Sequence, residues 1–131
     1  MTYQNKFIFL AHHVEILRSS YSHWIGKPNF DKGITHENAV EALFLAPFAV
    51  LSHGIGVDPI FNYGNQRALD IFEMSWEEFT VLPSRLSAET VNQKERVKLM
   101  DAVSRNGYIN NYSGIRISKS GRRFMIRDAT V

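Results

Sequence analysis

The chain has 131 residues, which predicts one domain able to bury roughly two-thirds of its unfolded surface. Lys and Arg number 15 and Asp and Glu 13, and the net charge of +2 is too small to imply a nucleic-acid partner by itself. Cysteine is absent, which excludes disulfides, thiolate metal sites and cysteine nucleophiles.

The N-terminal apolar run FIFLA is too short for a signal peptide and is followed at once by His12, His13 and Glu15. No stretch approaches the about 20 apolar residues of a membrane span. A cytoplasmic protein without a membrane partner is expected. Residues 6–25 predict a helix in which Phe7, Leu10, Val14, Leu17, Tyr21 and Trp24 repeat at 3 and 4 residue steps. That seam can dock on its own domain or pair with a second copy as a dimer helix, and a homodimer is expected. GKPNFDKG, 26–33, is a linker, so 1–33 is expected as an amphipathic helix with its linker and 34–131 as the main domain.

Thr35 predicts an N-cap for a helix through ENAVEALFLA, stopped by Pro47. PFAVLSHG, 47–54, and PIFNY, 59–63, predict a hairpin turned by GIGVD. Gly64 is expected to supply a positive φ and Asn65 to cap the helix QRALDIFE. Ser75 and Glu78 predict a capping box on a short helix over 76–81. Thr90 and Gln93 predict another, on a helix 91–106 with Val91, Val97, Met100 and Val103 apolar, Leu99 beside them, and Gly107 as its C-cap. YINNYSGIRIS, 108–118, and RRFMIRDATV, 122–131, predict a final hairpin through Lys119, Ser120 and Gly121. The alternation Ile115/Arg116/Ile117 places the isoleucines on one face and Arg116 on the other. The class is α+β with an antiparallel sheet.

This order resembles a PAS domain: a hairpin, a belt of short helices, a longer helix, then closing strands. The segments APFAVLSHG (46–54), DPIFNYGNQRALDIFE (58–73), LPSRLSAE (82–89) and YSGIRISKSGRRFMIRDATV (112–131) resemble the MEKHLA domain family, a PAS-like group of bacteria and plants. The resemblance implies a PAS-like antiparallel sheet with an N-terminal helical extension. In plants such domains sit in homeodomain–leucine zipper regulators, where they are associated with control of dimerisation. Family members usually continue beyond the strand ending at Val131 into a further, central strand. Its absence here predicts an unpaired gap between strands 48–54 and 122–131, open to a strand from the N-terminus or from a second subunit.

Several constellations carry potential chemistry. Ser52, His53 and Asp58 flank the first turn, but Ser52 and His53 are strand neighbours that point to opposite faces, so no triad and no catalytic residue is expected. The five histidines offer no i, i+4 pair, and no metal site is expected. The candidate walls of a ligand pocket are Phe61, Tyr63, Phe72, Trp76, Phe79, Tyr112, Ile115, Ile117 and Phe124, each of which can equally be core. Asn62, Asn65, Arg85 and His53 are its polar candidates. Without cysteine, cysteinyl–flavin chemistry is excluded, and a non-covalent small ligand is the open class of cofactor. Arg116, Lys119, Arg122, Arg123 and Arg127 can form a basic sheet face, solvated or covered.

The expected function is a non-catalytic sensory or regulatory module that binds a small ligand, dimerises, or does both. The alternatives are a small enzyme using the same cavity, which needs a perturbed carboxylate or histidine in it, and a nucleic-acid-associated regulator acting through the basic hairpin.

Overall fold

The computed structural model describes residues 3–25 and 33–131, with side chains from Phe9 onward in the first segment. The chain divides into two compact units, Met1–Pro47 and Phe48–Val131.

The first unit holds α1 (Tyr3–Ile25) and α2 (Ala39–Phe44), which pack together. Val14 of α1 and Ala39 and Leu43 of α2 are buried. Arg18 ties the helix to the chain entering α2, donating to the Ile34 carbonyl (3.3 Å) and to Glu15 (2.8 Å). Thr35 does cap, but it caps a turn. Its hydroxyl accepts from the Asn38 N–H (3.3 Å) while the Asn38 side chain accepts from the Thr35 N–H (2.7 Å). The α-helix therefore begins four residues later than the expected cap, at Ala39. It ends at Phe44, before Pro47 and the residue whose helical conformation Pro47 disfavours. The expected linker lies outside the described residues except for Gly33.

The second unit opens with β1 (Leu51–His53) and β2 (Phe61–Gly64), paired antiparallel with Leu51 opposite Gly64 and a bulge between Ser52 and His53. The expected hairpin is present with shorter strands. α3 (Gln66–Phe72) and α4 (Trp76–Phe79) follow, each begun by the expected cap. Ser75 and Glu78 form the full capping box, and α4 stops at Phe79, short of the expected 81. Residues 82–84 then run along the outer edge of β2: Phe61 N–H donates to Leu82 O (3.0 Å) and Ser84 N–H to Pro59 O (2.8 Å).

Two short 3-10 turns, Ser84–Ser87 and Thr90–Asn92, lead into α5 (Gln93–Asn106). The expected Thr90/Gln93 capping box is not formed. The Gln93 amide instead donates to the carbonyls of Arg85 and Ala88 (2.7 Å each), and this bonding holds the tight turns closed. Gly107 ends α5 at φ 85°. The apolar face differs from expectation in its valines: Val91 and Val97 are exposed, while Leu99 is the buried apolar residue of α5.

β3 (Tyr112–Ile117) and β4 (Arg123–Ala129) pair antiparallel with Arg116 opposite Phe124. The molecule is thus α+β and PAS-like, as expected. Its strands form two separate two-stranded sheets, β1–β2 and β3–β4. Among the described residues no strand joins β1 to β4, and the N-terminal segment is helical.

Candidate functional site

The residues nominated as pocket walls pack largely against one another. Phe61 stacks on Phe79 (centroids 4.3 Å), Phe72 sits 5.5 Å from Phe79, and Phe124 meets Phe72 edge-on at 5.0 Å. Such pairs contribute about 0.5–1.5 kcal/mol each beyond burial. These rings are the core of the second unit. Tyr63, buried beside Trp76 (5.7 Å, T-shaped), has its phenol pushed well above the ordinary range by burial.

Gly64 closes this core, for a reason other than the expected one. Its φ is not positive, but a Cβ there would lie 2.8 Å from Cε2 of Phe79. Glycine is needed because an aromatic ring rests on the backbone.

The polar candidates divide. Asn65 is fully buried and committed to structure. Its Oδ1 accepts from the N–H of Val50 (2.9 Å) and of Ala68 (3.1 Å), and its Nδ2 donates to Phe48 O (2.8 Å). One amide thus caps α3 and fastens the chain before β1. Asn62 accepts from the Ser52 hydroxyl across the hairpin (2.6 Å). His53 Nδ1 donates to Gly54 O (2.7 Å), since that carbonyl can only accept. Asp58 pairs with Arg85 (3.0 Å). Ser52, His53 and Asp58 are therefore engaged with separate partners.

The inner face of β3 is the main correction. Tyr112, Gly114 and Arg116 point inward, while Ile115 is exposed and Ile117 half-buried. The isoleucines nominated for the pocket lie on the outer face with Met125. The alternation has the expected period and the opposite phase. What reverses it is a buried polar network supplied by α5. Arg116 donates to Glu95 (3.2 Å), to the Tyr112 hydroxyl (2.9 Å) and to Ile115 O (2.9 Å), and Tyr112 donates to the other oxygen of Glu95. The guanidinium also sits 5.8 Å from the Tyr112 ring centroid. A Cβ on Gly114 would meet Tyr112 Cζ at 2.8 Å and Glu95 at 3.1 Å, so glycine clears the space for the network. Burial first, and the bond to Glu95 second, raise the Tyr112 phenol.

Arg96, the next residue of α5, donates to the buried Ser84 hydroxyl. Its guanidinium is held below the ordinary arginine range, by burial first and by the charge of Arg116 second. Glu95, Arg96 and Ser84 are additions to the residues expected from the sequence. The available signal was helical spacing: Glu95 and Arg96 lie four residues before Leu99 and Met100, on the stripe that α5 turns inward.

Most of the basic hairpin is paired. Lys119 bonds Glu78, Arg122 approaches Glu73 (3.5 Å) and Arg123 takes both oxygens of Glu89 (2.5 and 3.0 Å). Arg116 belongs to the buried network, so the five residues do not form one face.

In α1, the seam residues Leu10, Leu17 and Tyr21 are half-buried and Val14 is buried, whereas Trp24 is exposed; the Phe7 side chain lies outside the described residues. Among the described residues no group of three or more His, Asp or Glu could hold a metal ion, and no helix is long and apolar enough to cross a membrane. A comparison with curated proteins finds none that matches. The family model of the MEKHLA domain matches residues 11–131.

Proposed function

Because this chain belongs to the MEKHLA domain family, a PAS-like sensory and regulatory group, we propose that it is a non-catalytic regulatory module that self-associates through α1 and takes a small ligand in its PAS-like half. The observation that carries this reading is a second apolar stripe on α1. Phe9, Ile16 and Trp24 are 39%, 50% and 44% exposed, at steps of seven and eight residues along one side of the helix. The packed residues Leu10, Val14, Leu17 and Tyr21 occupy the adjoining side. A second copy can cover such a stripe with its own, and two-fold symmetry makes the contact self-complementary. Ligand binding then acts by shifting the population of paired and unpaired helices. A cytoplasmic location fits this role.

The non-catalytic part is supported by what surrounds the candidate groups. His53 bonds the neighbouring carbonyl, Asp58 bonds Arg85, and the deep polar network is built of Arg, Tyr and Glu in mutual hydrogen bonds.

The native chain has no cysteine, so a single introduced one reports the contact face. Under mild oxidation Ile16→Cys is expected to give a disulfide-linked dimer. Ser22→Cys, exposed on the other side of α1, is expected to stay single. Equal cross-linking of both, or of neither, contradicts the proposed face.

A further inference from the structure

The polar network holds more positive charge than it pairs. The charges of Arg116 and Arg85 bear unfavourably on Arg96 and the carboxylate of Asp58 favourably, while Glu95 serves Arg116. Arg85 pairs with Asp58 and Arg116 with Glu95. Arg96 makes no ion pair among the described residues; its one bond is to the neutral hydroxyl of Ser84. A half-buried charge facing a like charge is unfavourable, and a folded chain ordinarily pairs or replaces it.

The donors are available as well as the charge. Of the five N–H donors of a guanidinium, Arg96 commits one and Arg116 three among the described residues. Ser84 is 3% exposed, its oxygen accepts from Arg96, and its own O–H is left to donate. The charges also form a graded series. The Arg116 side chain is 7% exposed, whereas those of Arg85 and Asp58 are 52% and 50% exposed, so the row runs from the interior to solvent.

We infer that Arg96, Arg116 and Ser84 form a binding site for an oxyanion, the carboxylate or phosphate group of a small molecule. Two guanidinium forks and a hydroxyl match the planar acceptors of a carboxylate or the oxygens of a phosphate. Glu95 and Tyr112 are positioning residues: their bonds fix Arg116 and leave its remaining donors free. The bound anion supplies the negative charge that Arg96 lacks. This inference rests on the reading of the PAS-like half as ligand-binding and gives that ligand a chemical class.

Thermal unfolding titrations with inorganic phosphate and with succinate, each against sodium chloride at equal ionic strength, test it. At least one of the two is expected to raise the melting temperature saturably. Arg96→Gln is expected to weaken that response about tenfold or more, as loss of a charge-assisted bond does. Ser84→Ala weakens it less, and Arg105→Gln, on the exposed Asp101 pair of the same helix, leaves it unchanged. Without anion, Arg96→Gln melts at or above wild type, because it removes a half-buried charge that has no ion pair among the described residues; a merely structural arginine would melt lower when replaced. No saturable rise with either anion, a rise that Arg96→Gln retains, or a lower melting temperature of anion-free Arg96→Gln overturns the inference. The titration repeated on Ile16→Asp keeps the anion response, so a failure of self-association is told apart from a failure of the anion site.

Discussion

At the residue scale, three small positions govern the second unit. Gly64→Ala would push a methyl to 2.8 Å from the Phe79 ring, and overpacking of this kind costs about 1–3 kcal/mol. Denaturant midpoints should therefore fall with little change in slope. Asn65→Ala leaves two backbone N–H groups and one carbonyl without their partner and removes the α3 cap. A loss of about 2–4 kcal/mol is expected, measurable by urea unfolding. Gly114→Ala should disrupt the Glu95–Tyr112–Arg116 network in the same way. The sequence made Asn65 legible because a cap is a local event. It could not show that Asn65 also reaches Phe48 and Val50, or that Gly64 serves a ring fifteen positions away, since both depend on chain segments that meet only in the fold. Arg116 is the harder lesson. A period-two pattern names two faces without saying which is inward, and hydropathy chose the isoleucines. The partners that reverse the choice, Glu95 and Tyr112, lie on a helix and at a strand start that the alternation does not contain.

At the element scale, the β3–β4 turn is clasped by the helical belt. Lys119 N–H donates to Phe72 O (3.0 Å) and Ser120 N–H to Glu73 (3.3 Å), while Lys119 and Arg123 bond Glu78 and Glu89. The carboxyls of these three glutamates are held below their ordinary value of 4.5: Glu73 first by its bond from Ser120, Glu78 by that from Lys119, Glu89 by that from Arg123. A lowered folded pKa means that the ionised form is the one the fold prefers. The contribution is complete above pH 4.5 and disappears as pH falls through the lower folded values. Stability measured by urea should thus drop as pH is lowered from 5 toward 3. The combined variant Glu73→Gln, Glu78→Gln and Glu89→Gln should start lower at neutral pH and show a flatter dependence; an unchanged slope would show that the clasp is not what titrates. The hairpins and the Asn65 and Ser75 caps are readable in the sequence because turn and cap chemistry is written within a few residues. The Thr90/Gln93 box needs the Gln93 oxygen as acceptor, whereas bonds from Gln93 Nε2 to the Arg85 and Ala88 carbonyls turn that amide toward the preceding turn.

At the scale of the whole molecule, the chain offers two separable properties. The first unit presents Phe9, Ile16 and Trp24 outward, and the second bonds Arg96 to Ser84 and Arg116 to Glu95 and Tyr112, with a separate core of stacked rings. The helical seam in α1 was legible from spacing, but the side available to a partner was not, because Leu10, Val14, Leu17 and Tyr21 are drawn into the packed side. Leu17→Asp would therefore disturb folding and association together, whereas Ile16→Asp places its charge on the exposed stripe. Burying that carboxylate between two copies should cost at least about 2 kcal/mol, roughly thirtyfold in Kd. Sedimentation equilibrium over a dilution series, on wild type and on Ile16→Asp with matching circular dichroism, measures this directly. The account predicts a wild-type protein that converts reversibly from two chain masses to one on dilution, and an Ile16→Asp protein that stays at one with its helix content intact. A wild type that remains at one chain mass at the highest concentration, or an Ile16→Asp protein that associates as wild type does, would contradict it.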